Sequence, residues 1–138
     1  MKNIFLLILT AIVISSFSID NSVCLNEEER QLYELLMDYR KQKNLPPIPL
    51  SYSLTKVARL HVQDLVNNNP TSAKCNLHSW SRNGIWSSCC YTDNHTKAEC
   101  MWNKPRELST YSGDGFEIAA FLGESATAKA AIAGWKKS

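Results

Sequence analysis

Four of the chain's five cysteines fall between residues 75 and 100, and two of them, Cys89 and Cys90, are adjacent. A bridge between chain neighbours is strained, so each of the pair seeks its own partner. Cys75 is therefore expected to join one of them and Cys100 the other, with the choice left open and Cys24 as the odd thiol. Such a framework belongs to an oxidising compartment. The same stretch could be read as a structural zinc site, since Cys75, His78, Cys89, Cys90, His95 and Cys100 supply enough soft ligands. It contains no C-x-x-C pair, however, and oxidising conditions favour disulfides over thiolates.

The beginning of the chain supports the same compartment. After Lys2 comes the apolar run "IFLLILTAIVI", residues 4–14, which has the length of a secretory h-region and is short for a membrane span. Ser16 and Ser18 are the small residues a signal peptidase requires, so cleavage is expected after Ser18. The reading is a signal peptide over 1–18 and one domain over 19–138, long enough for a single core. Cleavage removes Lys2 alone among the charged residues, leaving 14 basic side chains against 13 acidic. That balance gives no basis for nucleic-acid or anionic-membrane binding. No later segment reads as an integral membrane span, so the expected location is secreted, extracellular or periplasmic.

Three helices can be read from apolar spacing. Asn26, with Glu29 three residues on, forms a capping-box pattern ahead of a stripe of Leu32, Leu35, Leu36 and Tyr39. "NLPPIPL" stops that helix. A second helix is expected from a cap at Ser53, with Leu54, Val57, Ala58, His61 and Leu65 on one face. On that face His61 reads as a core histidine with one satisfied nitrogen. A third helix is expected from a cap at Ser125, carrying Ala128, Ala131, Ile132 and Trp135 and ending in Lys136 and Lys137. Residues 71–115 show no sustained period, so crosslinks and aromatic packing are left to order them. Beyond the Gly113 and Gly115 turn, residues 116–121 alternate like a short strand. Glu117 there is either an exposed edge carboxylate or a partly buried one with a partner.

Taken in order, "LNEEERQLYELLMDYRKQKNLPPIPLSYSLTKVARLHVQDL", "CNLHSWS", "CCYT…H…AECMW", "YSGDGFEIA" and "AIAGWKKS" resemble the CAP superfamily of cysteine-rich secretory proteins, antigen 5 and pathogenesis-related 1 proteins, in its bacterial-looking branch. The resemblance implies an α+β fold, an α-β-α sandwich around an antiparallel sheet, with a surface cavity lined by two histidines and two acids. His78 matches the first histidine and Glu117 the acid of the G-x-E pattern, while Trp135 and Ser138 resemble the start of the segment leading to the next cavity residue. The family pattern runs on past Ser138, so the resemblance implies a domain truncated at its C-terminus, without the last strands. On the residues alone His78 packs beside Trp80 and bonds to backbone; the resemblance turns it toward the cavity.

The resulting functional expectation is a secreted, non-enzymatic binding module for a lipid, sterol, peptide or protein. One alternative is a metal-assisted extracellular hydrolase using His78 and Glu117. Another is a structural envelope protein with no small ligand. No G-x-S-x-G, H-E-x-x-H or Gly-rich phosphate loop is present. His78 and Glu117 could offer a nitrogen and an oxygen to a divalent ion such as zinc, but two ligands suffice only for weak binding, and metal is expected in a full-length form if at all. No other cofactor is implied. Asn94-His95-Thr96 is a glycosylation sequon, relevant to a eukaryotic secretory route.

Overall fold

The computed structural model describes residues 23–123 and 126–137. The expected signal peptide over 1–18, the Ser125 cap and Ser138 lie outside the described residues.

The first helix, α1, spans Glu27–Gln42. Its capping box closes in both directions: Asn26 accepts from the Glu29 amide and Glu29 from the Asn26 amide, each at 2.9 Å. The same Glu29 carboxylate accepts from Arg59 Nε at 2.7 Å, which ties the start of α1 to α2, Tyr52–Asn68. Helix α2 is capped by Ser51, two residues before the expected Ser53, and stops at Asn69, whose φ of 42° breaks the helical path. Between them, residues 44–50 lie along α1, held by Tyr33 Oη donating to the Ile48 carbonyl and Arg40 Nε to the Pro46 carbonyl.

Two short helices, α3 (Glu99–Trp102) and α4 (Lys104–Leu108), interrupt the stretch expected to be irregular throughout. The last helix, α5, spans Ala128–Trp135 behind a Thr127 cap and packs on α1. There Glu28 accepts from the Ala128 amide, and the Lys136 ammonium lies 4.4 Å from the Tyr39 ring centroid. No helix among the described residues is long and apolar enough to cross a membrane.

The buried face of α2 is Val57, His61 and Asp64, rotated from the apolar stripe expected from sequence, so that Leu54 and Ala58 are exposed. Val57 packs with Trp80 and Leu108 in one cluster, while Tyr91, Ala98 and Cys100 form a second. Cys89 touches both. Disulfides join Cys75 to Cys90 and Cys89 to Cys100, which takes all four sulfurs out of a thiolate zinc site, and Cys24 is the free cysteine.

The expected α-β-α sandwich is not what forms. Among the described residues there is no sheet, only one antiparallel bridge between Trp80 and Cys89. Residues 76–80 do run beside 89–91, with Trp80 and Cys89 exchanging both backbone bonds at 2.8 and 3.1 Å. The ladder goes no further at this end: the next pair in register would be His78 with Tyr91, but the Tyr91 amide is accepted by the Ser79 hydroxyl at 2.9 Å and the Tyr91 carbonyl accepts the Asn76 amide. The alternating residues 116–121 form no strand either, since alternation makes a strand only where a second chain segment completes the ladder.

Candidate functional site

The polar centre lies where α2, the 76–81 segment and residues 116–118 meet. His61 reaches it from the buried face of α2, at 2% exposure. Its Nδ1 is 2.5 Å from Glu117 Oε1 and its Nε2 is 3.0 Å from the Ser79 carbonyl. One face of the ring stacks on Trp80, centroids 4.2 Å apart and planes within 8°. The other carboxylate oxygen, Oε2, is 2.7 Å from His78 Nδ1. Glu117 thus bridges two imidazoles drawn from segments 56 and 39 residues away. The His78 and Tyr91 rings meet edge to face, centroids 5.2 Å apart, and the Tyr91 hydroxyl meets His95 Nδ1 at 3.0 Å.

The surrounding segment is firmly held. Asp64, fully buried, accepts from the Ser81 amide at 2.7 Å, from the Ser81 hydroxyl, and from Asn68 Nδ2 at 2.8 Å. Asn76 accepts from the His78 amide, and its own amide donates to the Tyr91 carbonyl. Gly115, two residues before Glu117, passes so close to Pro105 that a Cβ would fall 2.6 Å from the proline ring. Glycine at 115 therefore lets the backbone deliver Glu117 to the histidines.

Burial by itself would raise the Glu117 carboxyl. The hydrogen bonds from His61 and His78, with the positive charge those rings carry when protonated, outweigh it and hold Glu117 below the usual carboxylate range. Nearby, Lys104 is almost wholly buried, bonded to Glu107 at 2.7 Å and placed 5.2 Å from the Trp80 ring centroid. Glu107 is likewise held low: burial pushes it up, but Lys104 and the Ser87 amide prevail.

The structure brings the two expected residues, His78 and Glu117, into direct contact and adds His61, which sequence reasoning placed in the core with a single bonded nitrogen. A histidine on a buried stripe needs partners for both nitrogens, but nothing in local spacing says that one of them comes from residue 117. His78 Nδ1 and Glu117 Oε2 are engaged with each other. Among the described residues no group of three or more His, Cys, Asp or Glu side chains is arranged to hold a metal ion.

Among the described residues His78 Nε2 has no hydrogen-bond partner, and it is not sealed in, because every buried side-chain nitrogen and oxygen among them is hydrogen-bonded. A cavity of about 400 Å³ opens beside Glu117, lined by Trp80, Met101, Lys104, Tyr111 and Phe116 among others. No family model, no curated protein and no solved structure matches the chain.

Proposed function

We propose that this chain is an exported, disulfide-braced, non-enzymatic binding module that takes an amphipathic ligand, such as a lipid, a sterol or an apolar peptide. The observation that carries the reading is an aromatic-lined cavity with Glu117 in its wall, the Glu117 carboxylate being bonded to His78 and His61. A ligand would set its apolar body against Trp80, Met101 and Phe116 and its polar group toward the Glu117–His78 pair. The two disulfides and the leader-like run over 4–14 support export. The ordered resemblance to CAP proteins supports binding over catalysis.

Titration of the purified protein with a sterol, a fatty acid and a hydrophobic peptide, followed by tryptophan fluorescence, tests this. One hydrogen bond in a half-buried site is worth about 1.5 kcal/mol, so His78→Ala should weaken the preferred probe by about tenfold. Binding indifferent to His78 would remove this site from the function, and no binding at all would favour a structural envelope role. Turnover of an ester or amide probe that disappears with His78→Ala would establish the hydrolase instead.

A further inference from the structure

We infer that His61 is the positioning residue of this site: acting through Glu117, it fixes His78 with its proton on Nδ1, so that the atom offered to a ligand is the bare Nε2 and the ligand group it takes is a hydrogen-bond donor, an O–H or N–H. The ligand class rests on the binding role proposed above; the positioning role does not.

Glu117 has few other constraints. Among the described residues its side chain bonds only the two rings, and its amide meets Met101 Sδ at 3.2 Å. Its neighbours Phe116 and Ile118 are 80% and 65% exposed, so packing gives that segment little grip. His61, by contrast, is clamped on three sides: by the Ser79 carbonyl at Nε2, by the Trp80 face, and by α2 itself. The Ser79 anchor is in turn fixed by its amide to Asn76 and its hydroxyl to Tyr91. Order in this site therefore runs from His61 to Glu117, and from Glu117 to His78.

The hydrogen-bond accounting gives the direction of each proton. An ionised carboxylate only accepts, so both rings donate to it through Nδ1. At His61 the second partner, a carbonyl, is also an acceptor, so both bonds are complete only with a proton on each nitrogen. In a neutral His78 the proton then sits on Nδ1 and Nε2 keeps its lone pair, with no hydrogen-bond partner among the described residues. Each carboxylate oxygen is committed to one ring, so a rotation of Glu117 loses both contacts together. A ring nitrogen whose tautomer is set by a carboxylate on its other side is a pre-oriented acceptor.

Nitrogen-detected NMR of the histidine rings in the ligand-free protein at neutral pH tests the inference. Wild type should show His78 protonated on Nδ1 and bare on Nε2; a proton on His78 Nε2 would overturn it. His61→Phe keeps an aromatic ring on Trp80 but removes both donors, and His78 should then redistribute to include the form protonated on Nε2. His61→Asn restores an amide N–H where Nδ1 stood and should return His78 to the wild-type form. An unchanged His78 in His61→Phe, or no recovery in His61→Asn, would refute the positioning role. Should the phenylalanine variant not fold, the wild-type spectrum and the asparagine variant still decide. Because no ligand is added, failure of the binding reading leaves these outcomes untouched.

Discussion

Replacing Ser79 by alanine removes one oxygen from a fully buried position and tests why this chain forms a site where a ladder might have run. The hydroxyl accepts the Tyr91 amide at 2.9 Å, and Tyr91 is only 4% exposed, so water cannot take over. The Tyr91 carbonyl keeps a second donor, the Asn76 amide at 2.9 Å, so the substitution orphans a single N–H. An unpaired buried donor costs about 1–3 kcal/mol. Against a total stability of roughly 5–15 kcal/mol for a small domain, that is a large share. With a urea slope of about 1–3 kcal/mol per molar, the midpoint should fall by roughly 1 M at unchanged slope. Ser53→Ala, which removes only a 3.3 Å contact to Thr110, should stay within about 0.5 kcal/mol. A loss below about 0.3 kcal/mol for Ser79→Ala would mean that the Tyr91 amide finds another acceptor readily, and that Ser79 is not what interrupts the pairing.

Two further outcomes follow from the same geometry. The Glu117 carboxyl is lowered in the folded chain from an ordinary value of 4.5, so its contribution to stability is complete above that value and is lost as pH falls through the lowered one. Glu117→Gln should therefore flatten part of the acid limb in thermal melts, leaving the parts due to Glu29 and Glu107, and an unchanged limb would count against the bridging carboxylate. Removing the Cys89–Cys100 bridge with paired alanines, which also unties the two core clusters, should cost about 2–4 kcal/mol by urea unfolding; a loss under about 1 kcal/mol would show that the clusters hold without it.

Local signals were legible where the cause is local. Asn26 and Glu29 specify the start of α1 because both halves of the capping box lie within four residues. Adjacent Cys89 and Cys90 specify that two bridges leave in different directions, though only the folded chain shows that Cys75 takes Cys90. The α2 stripe held at Val57 and His61 but was turned toward Asp64, which is buried by bonds to Ser81 and Asn68 that an apolar pattern cannot register. The sheet was expected from the resemblance and from the alternation at 116–121, and neither supplies a pairing partner. The Ser79 hydroxyl diverts the one ladder that begins. His61 was missed as a member of the site for the same reason: its carboxylate partner is 56 residues away, beyond any spacing rule.

The measurement that bears most directly on the site is a double-mutant cycle on stability with His78→Ala, Glu117→Ala and the pair. The 2.7 Å contact between His78 Nδ1 and Glu117 Oε2 is half-buried and involves an ionised group, which corresponds to a coupling of about 1–2 kcal/mol. A coupling of that size would tie the two residues into one unit; additivity within about 0.3 kcal/mol would mean that they do not meet in solution.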